Sequence, residues 1–399
     1  MRKKVLSKFI LTAFLLFIGC SVCLSQIVYD NDIRCGAQQT ERYVPILKHQ
    51  NVALCVNQTS MVGQTHLLDT LLRLGIKVKK IFCPEHGFRG ETEAGKHISN
   101  QIDKQTGLPI VSLYGDNKKP TKEQLQDIEI IIFDIQDVGA RFYTYISTLT
   151  LLMEAAAEND KTVLVFDRPN PNGYWVDGCV LKPEYQSFVG MHGVPINHGM
   201  TIAEYARMVN GEKWLTGNRS CKLLWVKVEK YTHAMRYQLP INPSPNLSSM
   251  AAIYLYPSLC LFEGTPMSVG RGTNMPFCLL GYPNFPIKDT IFVPQNIAGV
   301  ATNPPCLGKQ CNGYNLKKWA EDSLQCKNYI DIDLLINVYN NFAEKDKFFA
   351  PFFNKLAGNA TLAQQIKEGK TSNQIRQSWQ ADLQKFLKIR KKYLLYPDF

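Results

Sequence analysis

The sequence predicts an α/β protein, with a Rossmann-like parallel-sheet domain first and a smaller α+β domain after it. Three observations predict this. Short, fully apolar runs alternate with helical stripes from about residue 50 to residue 205. Each apolar run ends in a loop rich in acids, amides and arginines. After about residue 205 the alternation fades, and Gly and Pro continue through residue 307. Runs that are apolar at every position suit strands covered by helices on both faces, because successive side chains point to opposite sides of a sheet.

Residues 1–25 form a candidate signal peptide. Arg2, Lys3, Lys4 and Lys8 precede an apolar run over 9–18 that is too short to span a bilayer. Cleavage is expected after Ser25. The alternative takes Phe17-Ile18-Gly19-Cys20 as a lipobox, with Cys20 as a lipidated terminus. Both readings predict export to the periplasm or beyond. No later segment is long and apolar enough for a transmembrane helix.

Without the leader, 41 Lys and Arg stand against 34 Asp and Glu, a balance of +7. The basic residues are scattered, whereas a nucleic-acid surface needs them clustered, so no nucleic-acid partner is expected. Of twelve cysteines, ten follow residue 25. Cys55, Cys83, Cys260 and Cys278 lie in or beside apolar runs and are expected as buried thiols. Cys306, Cys311 and Cys326 fall in a loop-rich stretch where export would permit one disulfide.

Strand one is expected over 51–56. Leu67, Leu68, Leu71, Leu72 and Leu74 then make a helical stripe that Gly75 ends. Strands two, three and four are expected over 78–83, 108–113 and 128–133. Residues 143–158 carry apolar side chains at helical spacing, and strand five follows over 162–166. These elements fill a first domain, 26–205. In the second, 206–399, residues 223–228 look strand-like and 253–261 form an apolar run. Ile375, Trp379, Leu383, Phe386 and Leu387 make a closing helical stripe that packs onto the body. No low-complexity linker separates the halves, so a crevice between them is expected.

In an open parallel sheet, ligands bind beyond the carboxyl ends of the strands. Four such ends carry chemistry here. They are Asn57-Gln58-Thr59-Ser60, Pro84-Glu85-His86-Gly87-Phe88-Arg89-Gly90, the run from Asp134 to Arg141, and Asp167-Arg168-Pro169-Asn170-Pro171-Asn172-Gly173. Neither G-x-G-x-x-G nor G-x-x-x-x-G-K-[ST] appears, so those two nucleotide fingerprints are excluded.

Glu85 is the first candidate for a general acid, because a carboxyl at the end of a buried strand is partly desolvated and its pKa rises. The competing reading is a capping or salt-bridged loop acid. Asp134 or Asp137 could be a second carboxylate, or both could orient Arg141 and the loop, and Glu263 is a further candidate for that second group. Arg141, Arg168 and Arg271 stand in Gly- or Pro-bounded loops, where a rigid guanidinium fork suits a carboxylate ligand. Pairing with Asp134, Asp137 or Asp167 is the structural alternative for each. Tyr143, Tyr145 and Tyr114 are candidates for stacking or packing. His-x-His and H-E-x-x-H spacings are missing, and neither a metal nor a cofactor is expected.

The motif Pro84-Glu85-His86-Gly87-Phe88-Arg89-Gly90 with Ala94-Gly95 resembles a signature of the NamZ-type exo-β-N-acetylmuramidases. Further matches are the run from Asp134 through Tyr145, Asp167-Arg168-Pro169-Asn170-Pro171, His198-Gly199-Met200-Thr201 and Ser244-Pro245-Asn246. Glu263-Gly264-Thr265, Gly270-Arg271-Gly272-Thr273 and the closing Trp379 with Tyr393-Leu394-Leu395-Tyr396 complete the set. The resemblance covers nearly all of 26–399. It implies an active site in the cleft between a Rossmann-like domain and a smaller one. It also implies release of N-acetylmuramic acid (MurNAc) from the non-reducing end of MurNAc–GlcNAc chains, in cell-wall turnover and recycling. Glu85 falls on the family's strand-two glutamate.

The candidates for binding the substrate, a peptidoglycan-derived saccharide, are Asn57, His86, Arg89, Asp137, Arg141, Tyr143, Arg168, Asn170, His198 and Arg271. Arg141 is favoured over Arg271 and Arg168 for reading the lactyl carboxylate. One block departs from the family, since Asn57-Gln58-Thr59-Ser60 stands where Asn-Pro-Thr-Gly is expected, which predicts a looser turn after strand one. Two alternatives compete: a non-catalytic periplasmic peptidoglycan-sugar binding protein, and a metal-dependent hydrolase of another bond.

Overall fold

The computed structural model describes residues 27–28, 33–84, 88, 101–322 and 328–399. The leader, Glu85, His86, Arg89 and Cys326 lie outside the described residues.

Seven strands form the main sheet: β1 (Asn51–Val56), β2 (Lys77–Cys83), β3 (Gln101–Ile102), β4 (Pro109–Ser112), β5 (Ile130–Asp134), β6 (Thr162–Phe166) and β7 (Lys222–Val226). Their order is β7-β6-β5-β1-β2-β4-β3. All neighbours run parallel except β3, which is antiparallel to β4. The five apolar runs of the sequence are therefore strands of one sheet.

The side-chain period of two sorts them between two cores. Ala53, Cys55, Ile131, Phe133, Val163 and Val165 enter one. Val52, Leu54, Val56, Ile130, Ile132 and Leu164 enter the other. The two-residue edge strand β3 has no signal in the sequence, being too short for any alternation to show. The expected division at 205/206 falls before β7, so the sheet takes its last strand from the second half of the chain.

The helices are α1 (Leu67–Arg73), α2 (Tyr145–Glu158), α3 (Ile202–Gly211), α4 (Met250–Leu259) and α5 (Ser372–Arg390), with shorter ones between. The side chain of Thr201 accepts from Glu204 N to cap α3, and the Glu204 side chain answers the cap backbone. The apolar run 253–261 becomes α4 and the turn after it. Residues 251–259 are buried all round, as a helix with no polar face must be. The stripe of α5 buries Ile375, Trp379, Leu383 and Phe386, and Trp379 Nε1 donates to Asp177 Oδ1 at 3.1 Å.

A small antiparallel sheet, β8 (Leu279–Tyr282), β9 (Thr290–Phe292) and β10 (Cys311–Asn315), has the order β8-β10-β9. One hydrophobic cluster runs from Ala53 and Phe133 through Tyr256 and Phe262 to Trp379. The two halves are thus joined by a common core, which fixes the walls of the crevice between them. Among the described residues, no helix is long and apolar enough to cross a membrane.

Candidate active site

The loop after β1 is tighter than its departure from the family motif suggests. Asn57 Oδ1 accepts from Thr59 N at 2.9 Å and Thr59 Oγ1 at 2.6 Å, an Asx turn. Ser60 Oγ accepts from Asn57 N at 3.0 Å and donates to the Asp134 carbonyl. A hydroxyl thus supplies cross-links that the expected glycine would lack. Asn57 is fully buried, and its Nδ2 donates to Tyr145 Oη at 3.0 Å. Its visible work is to tie the strand-one loop to the start of α2.

Most of the other polar candidates are committed to the protein itself. Both oxygens of Asp134, the last residue of β5, bind Arg168: Nε at 2.6 Å and Nη2 at 2.9 Å. The pair is buried. Burial acts to lower the Arg168 pKa, but the adjoining Asp134 carboxylate outweighs it and holds the pKa above the usual value. Asp134 is accordingly not an open second carboxylate, and Arg168 is no free fork.

Arg141 requires a larger correction. It is fully buried, with Nη1 donating to the Cys179 and Val194 carbonyls at 2.7 and 2.8 Å and Nη2 to the Leu356 carbonyl at 2.7 Å. Burial pulls its pKa down to about 10. The guanidinium fork is spent on three backbone carbonyls, and it clamps the region after α2 to the segment near residue 356. The sequence supplied the right residue type in the right loop, but not that carbonyls would reach it first.

Asn170 Nδ2 donates to the Met200 carbonyl and its Oδ1 accepts from Asn172 N, at 2.9 and 2.8 Å. It is buried, with both ends of its side-chain amide engaged within the protein. His198 is wholly buried, with Nδ1 accepting from Met200 N at 3.3 Å and Nε2 3.9 Å from Asp137 Oδ2. Burial lowers its pKa to about 3, so it is a neutral imidazole at neutral pH. Asp137 Oδ2 accepts from Gly139 N at 2.7 Å, and burial pushes its pKa up to about 7.

The remaining three described candidates come together. Tyr143, Glu263 and Arg271 line one cavity of about 180 Å3, with Tyr145, Ser244, Asn246, Tyr256, Phe277 and Phe352 among the other lining residues. The wall is a chain of edge-to-face aromatic contacts. Ring centroids are 4.9 Å apart for Tyr143–Tyr145, 5.8 Å for Tyr143–Tyr256 and 5.0 Å for Tyr256–Phe277. Tyr143 Oη donates to the Pro243 carbonyl at 2.9 Å, which draws the 244–247 segment onto the Rossmann-like half. Gln58 Nε2 donates to the Asn242 and Pro243 carbonyls and strengthens the same link.

Asn246 Nδ2 donates to the Val300 carbonyl at 2.9 Å, and its Oδ1 has no hydrogen-bond partner among the described residues. Glu263 Oε1 accepts from Arg271 Nε at 2.5 Å. Tyr256, Phe277 and Phe352 escape sequence reasoning, since aromatics in apolar stretches look like core. The Ser244-Pro245-Asn246 motif was the available signal for the far wall.

Of the cysteines expected as buried thiols, Cys55, Cys83, Cys260 and Cys278 are all buried, and burial raises the pKa of each. Among the described residues, no three His, Cys, Asp or Glu side chains group to hold a metal ion.

Comparison with known proteins identifies the family and the fold. The N-terminal domain model of "Exo-beta-N-acetylmuramidase NamZ" matches residues 52–251, and the C-terminal one matches 254–396. The two matches adjoin at α4, beyond β7. The "Peptidoglycan beta-N-acetylmuramidase NamZ" of Bacillus subtilis is 39% identical over 374 residues, which cover 89% of each chain. A DUF1343 family protein of Bacteroides fragilis, known from its crystal structure, superposes with a TM-score of 0.86 at 47% identity. That match covers 92% of this chain and all of the other. A second DUF1343 structure from the same species gives 0.75 at 27% identity, with the same coverage. Matched along nearly all its described length by both domain models, the chain belongs to the NamZ family of exo-β-N-acetylmuramidases.

Proposed function

We propose that the cavity between Tyr143 and the Glu263–Arg271 wall holds the terminal MurNAc of a peptidoglycan fragment, and that the protein releases it as an exo-β-N-acetylmuramidase. The observation that carries this reading is the composition of the cavity. Aromatic rings form its walls, and Ser244, Asn246 and a carboxylate–arginine pair are the polar residues among its lining. Rings offer apolar faces to a pyranose, and sparse polar groups orient it. The membership in the family and the relative from B. subtilis support the same activity.

The general acid is assigned to Glu85. Of the described carboxylates at neighbouring strand ends, Asp134 and Asp167 are engaged on both oxygens, and Asp137 is buried away from the cavity lining. Asp134 is held by Arg168. Asp167 accepts from Thr201 Oγ1, Ala203 N and Tyr396 Oη. Asp137 is buried beside His198. Glu85 follows β2, the strand next to β1, whose following loop begins with Asn57. Glu263 is the described carboxylate that reaches the cavity, bound to Arg271.

Glu85→Gln should lower kcat on an unactivated MurNAc–GlcNAc disaccharide by about 10²–10⁴ while leaving the fold intact. A variant that keeps near-normal kcat on that substrate would overturn the assignment, and so would a wild type that only binds it.

The leader places the enzyme outside the cytoplasm in this reading, by cleavage after Ser25 in preference to lipidation at Cys20. N-terminal sequencing of the protein from its own cells should then begin at Gln26, and a mature chain that retains Met1 would end the proposal.

A further inference from the structure

The cavity holds a guanidinium whose fixed geometry points to one chemical group on the ligand. Arg271 lies between Gly270 and Gly272, whose φ values of 79° and 78° belong to the left-handed region. A Cβ on Gly272 would meet the Gln295 carbonyl at 2.3 Å, and one on Gly270 the Met275 carbonyl at 2.8 Å. Only glycine fits at these two positions, so the backbone presents Arg271 from a defined turn.

The side chain is then held on one edge and one face. Nε donates to Glu263 Oε1 at 2.5 Å, and the Phe277 ring lies beneath the guanidinium with its centroid 5.0 Å away. Nη1 and Nη2 have no hydrogen bond among the described residues, and the side chain keeps 28% of its exposure. Two parallel N–H donors at a cavity wall, already oriented, match the two oxygens of a carboxylate. Glu263 neutralises part of the charge, but it occupies only the Nε edge.

We infer that Arg271, positioned by Glu263, binds the lactyl carboxylate of MurNAc and so sets the preference for MurNAc over GlcNAc. The inference rests on the proposed function, since it places MurNAc in this cavity. The two sugars differ only in the lactyl ether, so discrimination must come from that group's charge and bulk. When GlcNAc binds, the Nη pair stays desolvated with no acceptor, which is more costly than a lost apolar contact. The carboxylate is ionised throughout the working range of pH and the guanidinium stays charged.

The test compares three aryl β-glycosides: MurNAc, its lactyl amide, and GlcNAc. Wild type should favour the acid over the amide by about 10–100-fold in kcat/KM, the amide keeping the bulk without the charge. Arg271→Ala should lower kcat/KM for the acid by a similar factor and leave the amide and GlcNAc within a few-fold. Arg271→Lys should recover part of the acid's advantage, because a point charge replaces the fork. Glu263→Gln should weaken that advantage without abolishing it.

Equal turnover of acid and amide by wild type overturns the inference without any variant. So does an Arg271→Ala protein in which acid and amide fall together, since that marks a structural role. If wild type hydrolyses none of the three, the proposed function fails separately. Calorimetric titration of MurNAc and its amide into wild type and Arg271→Ala then decides this inference alone. Tighter binding of MurNAc that depends on Arg271 supports it, and indifference to the charge ends it.

Discussion

Two arginine–carboxylate pairs border two different cavities and do opposite things. Arg168 and Asp134 close the carboxyl end of β5, with side-chain exposures of 7% and 0%. Arg271 and Glu263 stand on the cavity wall at 28% and 24%. The first pair uses both carboxylate oxygens and two nitrogens of one guanidinium edge. The second makes a single contact through Nε and leaves the fork toward the cavity. Each comes from a loop arginine with an acid near it, so residue type does not separate them. Exposure and engagement do: Arg168 also lines a cavity, of about 250 Å3, but it keeps 7% exposure and holds both oxygens of Asp134, whereas Arg271 keeps 28% and is held by Glu263 through Nε alone.

The largest effect expected from this contrast is on stability. Asp134→Ala leaves the buried Arg168 charge without its partner and should cost about 3–5 kcal/mol. Glu263→Ala leaves Arg271 with access to water and should change stability by less than about 1 kcal/mol. Urea unfolding of both variants against wild type measures the difference. Comparable losses in the two proteins would show that the cavity pair also braces the fold.

The sequence carried the sheet well because burial on both faces leaves an unmistakable mark. Five apolar runs became five strands of one sheet. β7 was visible as a strand-like stretch, but its place in the sheet depends on pairing with β6 across some sixty residues, which no local pattern records. The site was legible in part. Tyr143, Glu263 and Arg271 were named and do share a cavity.

Arg141, Asn170 and His198 were named for the same reasons and are buried against backbone. Their hydrogen-bond partners, such as the Cys179, Val194 and Leu356 carbonyls of Arg141, are unremarkable in sequence because every residue has a carbonyl. Polar residues at strand ends are thus readable as a set. Which of them face solvent is decided by tertiary approach. Tyr256 and Phe277 show the reverse case, since aromatics that read as core form the cavity wall.

Asp137 extends the contrast to a carboxylate with no arginine at all, and its signature is pH dependence. It is buried, Oδ2 accepts from Gly139 N, and Oδ1 has no hydrogen-bond partner among the described residues. Burial raises its pKa from the ordinary 3.8 to about 7, and the Gly139 and Val138 amides offset only part of that. A folded-state pKa above the unfolded value means that the neutral acid is preferred in the fold. Its contribution to stability is therefore complete below about pH 4 and is lost as pH rises through 7.

His198, 3.9 Å away, acts in the opposite sense. With its pKa depressed to about 3, its contribution is complete above about pH 6.5 and is lost as pH falls below that. The two overlap in wild type, so the total profile does not isolate either. Asp137→Asn separates them, because an amide oxygen can still accept from Gly139 N while the titrating group is gone and His198 remains. Relative to wild type, the variant should gain roughly 2–3 kcal/mol between pH 5 and pH 8, since about two pKa units of the Asp137 shift fall in that interval. Guanidinium unfolding of both proteins at the two pH values measures this. A difference that stays constant would mean that Asp137 does not titrate between these two pH values, and the distinction between paired and unpaired carboxylates at this strand end would collapse.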